Sequence, residues 1–217
     1  MTHTKIKNLL RSAINSVSSS VSDYAMCPGK NFSRNRKLPA DKLISFLIAE
    51  GSSTTKNELL DFFGMSGQSP SSSAFFQQRE KLKPGALKAV FDNFLGAVSS
   101  CVDKHIGYRL IAADGSTASY FSRDRYSPHD EYFISPGKST KGAYSIHINA
   151  FQDLDSHLYT DALLQPVHHK DEFRAFCTIV DRHPVEPGSK NIYIGDRGYC
   201  SYNNMAHVIE NEQYFLF

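Results

Sequence analysis

No run of eighteen apolar residues occurs in the 217-residue sequence, so no segment is long enough to cross a bilayer as a helix. The N-terminal stretch MTHTKIKNLLRSAINSV is basic, but it lacks the apolar core and small-residue cleavage site of a secretory signal. Cysteine is scarce: Cys27, Cys101, Cys177 and Cys200 lie far apart and never form Cys-x-x-Cys, which argues against a zinc site or a disulfide framework. Buried, reduced thiols in a cytoplasmic protein are the expectation. The adjacent His168 and His169 carry little weight as a metal signal, because neighbouring loop histidines usually bind nothing. A large net charge is missing too. The formal balance is +2, with 41% hydrophobic and 21% charged residues, as in one or two ordinary globular units with a real core.

That near-neutral total hides an uneven distribution. Met1 to Lys37 holds seven basic residues (Lys5, Lys7, Arg11, Lys30, Arg34, Arg36, Lys37) against Asp23 alone, a net +6. Such a segment suits a polyanion such as DNA, through phosphate neutralisation and counterion release; a solvated basic tail fits the same count.

Apolar spacing is helical up to about Val102. Ile6, Leu10, Ile14 and Val17 recur at threes and fours. ADKLISFLIAEG predicts a helix stopped by Gly51, TTKNELLDFFGM one capped by Thr, SPSSSAFFQQREKLKPG one stopped by Pro84 and Gly85, and ALKAVFDNFLGAVSSCV one more. The middle three are arranged like a three-helix DNA-binding unit with Ser73 to Leu82 as its last helix. There Gln77, Gln78, Arg79 and Lys81 are placed to meet phosphates or base edges. A bundle whose polar face is merely solvated accounts for the same pattern.

From Tyr108 onward the period becomes that of strands. YRLIAAD predicts a strand ending at Asp114, and AYSIHINAFQ and HLYTDALLQP a hairpin through DLDS. KDEFRAFCTIVDRH predicts a helix with Phe173, Phe176, Ile179 and Val180 inward. KNIYIGD, NNMAHVIENE and QYFLF follow as strand, helix and strand. The order β-β-β-α-β-α-β implies a mixed sheet with helical crossovers in a three-layer α/β domain, and the chain stops directly after the fifth strand, an unusual place for a domain to finish.

Two carboxylates end apolar runs in the same way: Asp114 in RLIAADGSTASY and Asp196 in NIYIGDRGYCSYNN. Ligands gather at the carboxyl ends of strands in α/β sheets. If the first and fourth strands are neighbours, the two acids face one crevice, where Mg²⁺ (or Mn²⁺) would relieve their repulsion and serve phosphodiester chemistry. Gly115 and Gly195 permit close approach, Arg197 offers a fork to a phosphate, and Tyr199 a ring or hydroxyl beside it. A single aspartate at a strand end is more often a cap or turn former; the matching pair favours a site.

IAADGST, KSTKGAYSIHINAFQD and above all IGDRGYCSYNNMAHVIENEQYFLF resemble the DDE transposases of bacterial insertion sequences, in the subgroup named for a Tyr-Arg-Glu-Lys signature. The helix SSSAFFQQREKL is similar to that subgroup's N-terminal region, so the resemblance runs from about Leu38 to Phe217. It implies an all-helical N-terminal region (1–102) before a ribonuclease-H-like α/β domain (103–217), a mixed sheet flanked by helices and incomplete at the C-terminus. It further implies Mg²⁺-dependent cleavage and strand transfer at terminal inverted repeats of double-stranded DNA, by a homodimer in a synaptic complex in the bacterial cytoplasm, at the nucleoid. Asp114 and Asp196 correspond to the first and second metal-binding acids. The family's third acid, a glutamate on a helix past the fifth strand, has no counterpart, since Glu210 and Glu212 precede that strand.

SPGKSTKG is not a phosphate loop. The glycine required five positions before Gly137 is Tyr132, and a strand follows where a helix is needed, so Lys138 and Lys141 read better as surface cations toward DNA phosphates. DGST is also similar to the first turn of sugar-kinase and actin-like ATPases. Those turns join strands one and two directly, whereas Ser116 to Gly142 intervene here. A non-enzymatic reading remains beside the transposase: a catalytically dead, DNA-binding truncation acting as an inhibitor of transposition, or a remnant.

Overall fold

The computed structural model describes residues 2–34, 37–67, 69–99, 107–120, 130–134, 142–183 and 190–217. Lys138 and Lys141 lie outside the described residues. The chain forms two compact units, Met1–Cys101 and Val102–Phe217. No helix among the described residues is long and apolar enough to cross a membrane.

The first unit holds five helices: α1 (His3–Ser19), α2 (Ala40–Ala49), α3 (Thr55–Phe62), α4 (Ser72–Arg79) and α5 (Gly85–Ser99). Side chains cap three of them. Thr2, Thr54 and Ser71 accept from Lys5, Asn57 and Ala74 N–H groups, satisfying amides that have no partner within the helix. The inward stripe of α1 carries Ile14 and Val17, as its spacing predicts, and these join Leu43, Ile44, Phe46, Leu59, Phe75 and Val90 in one core. Phe46 anchors it, meeting Phe62 and Phe75 edge-on at 5.4 and 4.9 Å between centroids.

The end of α4 differs from expectation. The helix stops at Arg79 rather than Leu82, because the next residues pair with the loop after α1: Met26 N–H donates to Lys81 O (2.9 Å) and Lys83 N–H to Tyr24 O (2.8 Å). That bridge takes the backbone groups that a longer helix would have used.

The second unit is a sheet with two crossover helices: β1 (Arg109–Tyr120), β2 (Phe133–Ile134), β3 (Ala143–Asp153), β4 (Leu158–Pro166), α6 (Glu172–Arg182), β5 (Asn191–Ile194), α7 (Tyr202–Glu210) and β6 (Tyr214–Leu216). β3 pairs antiparallel with β1 on one flank and with β2 and β4 on the other. β1, β5 and β6 then run parallel in that order. This is a mixed sheet flanked by helices, as the element order implies.

The registers Ile111↔Tyr193 and Ala113↔Phe151 put these four side chains on one face, where Phe176, Ile179 and Val180 of α6 and Val208 of α7 cover them. Among the described residues of this unit, both crossover helices pack on that face, giving one helical layer where the element order suggested two. The other face carries partly buried Leu110, Ile146, Ile148, Ile192 and Ile194, with Leu164 and Leu216 exposed.

Other expectations change as well. β1 does not end at Asp114 but runs six residues further, because Gly115 to Tyr120 continue the ladder with β3. Phe173, predicted inward, is 44% exposed, since the first turn of α6 has begun to rotate its face away. Of the described cysteines, all free, only Cys177 is buried; Cys27 and Cys200 are exposed.

Candidate active site

Asp114 and Asp196 come from adjacent strands. The parallel ladder between β1 and β5 ends at Ala112↔Ile194, and Asp114 and Asp196 each follow that last pair by two residues. Neighbouring strands are spaced about 4.8 Å apart, so both acids lie near the same end of this ladder. Asp114 lies inside β1, yet it is the second residue beyond the stretch that β5 covers. That explains how a mid-strand side chain stays exposed.

Both carboxylates are oriented by the backbone that follows them. Asp114 Oδ1 accepts from Gly115 N–H at 2.8 Å, and Asp196 Oδ1 from Gly198 N–H at 2.8 Å, the latter capping a single 3₁₀ turn, Arg197–Tyr199. The glycines between and around them hold space. A Cβ on Gly195 would stand 3.0–3.1 Å from the Tyr199 ring, and one on Gly115 would stand 3.1 Å from His147 Nε2 and 3.2 Å from Glu172 Oε1.

Tyr199 is not the DNA-facing ring that its sequence position suggests. It is 3% exposed and packs against Phe176 at 5.6 Å, because the 3₁₀ turn folds it back under the strand end. Burial first, then the charges of Glu172, Asp114 and Asp196, pushes its hydroxyl well above the usual tyrosine range. Arg197 is exposed beside Asp196, free of the core.

The turn is fixed from below by Asn204, which is fully buried. Its Nδ2 donates to Tyr199 O (2.9 Å), its Oδ1 accepts from Cys177 Sγ (3.3 Å), and its own N–H is capped by Ser201 (3.1 Å). YCSYNN is thus a clamp between the Asp196 turn and α6. Glu172, His147 and Asn204 are the residues that sequence reasoning missed. Only Asn204 lies near a recognised motif; the other two reach the site through the topology.

The donor set consists of hard oxygens and suits a divalent cation in kind. Among the described residues, however, no three His, Cys, Asp or Glu side chains are gathered closely enough to hold one. His168, the other metal candidate, sits against Phe133 O at 2.6 Å and serves the sheet edge.

In the helical unit, α4 offers Arg79 and Gln77 to solvent. Arg79 stacks its guanidinium over Phe76 and Phe75, at 5.0 and 5.8 Å. Gln78 is withdrawn from any DNA-facing role. It is 7% exposed, donates to Leu38 O (3.1 Å) and accepts from Lys81 Nζ (2.7 Å). Beside the start of α4 a cavity of about 360 Å³ is lined by Lys37, Ser69, Ser71, Gln77 and Lys81, among others.

No protein-family model matches this chain. No curated protein matches it significantly in sequence. Among solved structures, the chain is similar to the Mos1 transposase in its paired-end complex with the left transposon end, at 12% identity and a TM-score of 0.33, covering 85% of this chain. This chain corresponds to 60% of that chain's length.

Proposed function

We propose that this chain works in DNA transposition, as a transposase or a portion of one, by Mg²⁺- or Mn²⁺-dependent strand cleavage and transfer at insertion-sequence ends. The observation that carries this reading is the parallel pairing of β1 with β5, whose ladder ends two residues before Asp114 on one strand and two residues before Asp196 on the other. The resemblance of the sequence around both aspartates to DDE transposases supports it, and the double-stranded terminal repeats, the homodimeric synaptic complex and the bacterial nucleoid belong to the same proposal.

Asp114 and Asp196 would hold the cation, whose chemistry when bound is to polarise the phosphodiester and to lower the pKa of an attacking water or DNA hydroxyl. This chain's own residues do the rest. The Gly115 and Gly198 amides hold the two carboxylates in place. Gly195 leaves the Tyr199 ring its place beneath the site, and Tyr199 stays protonated and neutral, adding no charge of its own. Arg197 is positioned to take a phosphate with two parallel N–H donors. Neither aspartate has to serve as a general base; charge stabilisation supplies most of the rate. In the helical unit, Arg79 and Lys81 would grip the duplex, with Lys138 and Lys141 as further phosphate contacts.

The test is nicking of a terminal-repeat duplex in Mg²⁺. The full chain is expected to cleave, with Asp114→Asn and Asp196→Asn each losing about 100-fold or more of the rate. Equal cleavage by the wild type and both variants would remove the proposal.

One observation favours a second reading. Because no three acids converge as a metal cage among the described residues, the chain also fits a DNA-binding truncation that blocks an intact transposase, or a remnant. Binding to terminal repeats without nicking, together with poisoning of intact enzyme in a mixture, selects the inhibitor. Aggregation of the purified chain selects the remnant.

A further inference from the structure

Ala74, Gln77, Gln78 and Lys81 recur at i, i+3, i+4 and i+7, so α4 and the turn after it present one side to a single cleft. Lys37, Leu38, Ser69, Pro70 and Ser71 line it from the chain leading into α2 and α4. Its volume of about 360 Å³ falls within the ~300–1,000 Å³ of small-ligand sites. Among the described residues no Asp or Glu side chain lines it. Arg79 is not part of it and leans instead over Phe76 and Phe75. Arg79 and Lys81 therefore serve different surfaces.

Lys81 is held in place at the cleft. Its Nζ donates to Gln78 Oε1 at 2.7 Å, and buried Gln78 donates in turn to Leu38 O at 3.1 Å. A merely solvated lysine would keep its rotamer freedom; this one is tied to an amide that is itself fixed at both ends. Lys37 donates to Gly67 O at 2.9 Å. An ammonium has three N–H donors, and each of these two spends one on a neutral oxygen. Their charge is thus not met by a carboxylate in the lining. Ser71 Oγ accepts from Ala74 N–H at 3.2 Å and keeps its own hydrogen to donate.

We propose that this cleft is an oxyanion subsite that seats one phosphate group shared by Lys37 and Lys81, with Ser71 and Gln77 as further donors. The phosphate is that of a DNA backbone, so the inference rests on the DNA-binding part of the reading above and not on Asp114 and Asp196. Leu38, Pro70 and Ala74 give the cleft an apolar edge that suits the sugar carbons flanking such a phosphate. Because one phosphate answers to both lysines, their contributions to binding are coupled rather than independent. Gln78 acts through Lys81, as its positioning residue.

The experiment is fluorescence anisotropy of a labelled, mixed-sequence duplex with the full chain over a range of KCl. Thermal unfolding in inorganic phosphate, against chloride of equal ionic strength, runs beside it. Lys37→Gln and Lys81→Gln are each expected to weaken duplex binding about fivefold near physiological salt and to reduce the salt slope by about one, the loss of one phosphate contact. The double variant should lose hardly more than either alone, whereas Arg79→Gln and Lys81→Gln should add. Gln78→Met should weaken binding in the wild type but not in the Lys81→Gln background. Losses at Lys37 and Lys81 that add, with the slope falling by about two, would put the lysines on separate phosphates and overturn the subsite. If only protection by inorganic phosphate depends on the two lysines, the subsite stands, takes a free phosphate ester, and the DNA source falls. If neither readout depends on them, the subsite falls. Loss of nicking in Asp114→Asn with these salt slopes unchanged keeps the fate of the catalytic reading separate.

Discussion

At the scale of single residues, the site depends on small side chains and one buried amide. Gly195 has no room for a methyl group, because the Tyr199 ring atoms that it would meet at 3.0–3.1 Å are themselves pinned by Phe176. Gly195→Ala is therefore expected to cost about 1–3 kcal/mol in urea unfolding, as for other forced insertions into a packed contact. Asn204 makes the reciprocal case. Asn204→Leu would strand the Tyr199 carbonyl inside the protein and remove the acceptor of the Cys177 thiol, a loss of about 1–3 kcal/mol, and would loosen the turn that presents Asp196. A variant as stable as wild type would show that the clamp does nothing. The two aspartates were legible because each ends an apolar run beside glycine. Glu172 and His147 were not, because nothing local marks them: they meet only when β3 and α6 dock on the same face of the sheet.

At the scale of elements, α6 carries the largest share of the sheet unit's core. Phe176 is fully buried and touches the rings of Phe151, Tyr193, Tyr199 and Phe217 at 5.3–6.0 Å. Phe176→Ala should cost about 3–5 kcal/mol, whereas the same change at Phe173, which is 44% exposed, should cost well under about 1 kcal/mol. Chemical denaturation of the pair separates the buried face from the wet one. Periodicity identified that helix and most of its inward positions but placed Phe173 wrongly, because spacing gives a stripe and not its edge. Strand order was legible in part as well. The alternating runs predicted five strands correctly in sequence, while β2, only two residues long, carries too short a pattern to be seen. The extension of β1 past Asp114 was hidden for a different reason: GSTASY is small and polar, and only the partner strand β3 makes it a strand.

At the scale of the whole molecule, buried charge decides how the sheet unit responds to acid. Asp153, 1% exposed, loses solvation on burial, which would raise its pKa. Hydrogen bonding from Ser156 and the paired Arg109, at 2.7–2.8 Å, outweighs that and holds the carboxyl below its ordinary range. Asp161 follows the same pattern. Burial is opposed by His183, by the Ala162 amide and by Arg182, again with a net lowering. A carboxylate with a depressed folded-state pKa binds protons more readily when unfolded. Its stabilisation is therefore complete above the unfolded value of about 4 and drains away as pH falls through the folded value. Both residues tie strands together: Asp153 holds the end of β3 to the start of β1, and Asp161 ties β4 to the end of α6. Acid unfolding should accordingly begin in the sheet unit. Hydrogen exchange between pH 5 and pH 3 is expected to show amides of β1, β3 and β4 losing protection before those of α1 to α5. Asp153→Asn would flatten that dependence while lowering stability at neutral pH by about 2–3 kcal/mol, somewhat less than a fully buried broken pair because Arg109 is 29% exposed. An unchanged acid profile in the variant would mean that the depressed carboxylate contributes nothing to the unit's pH response.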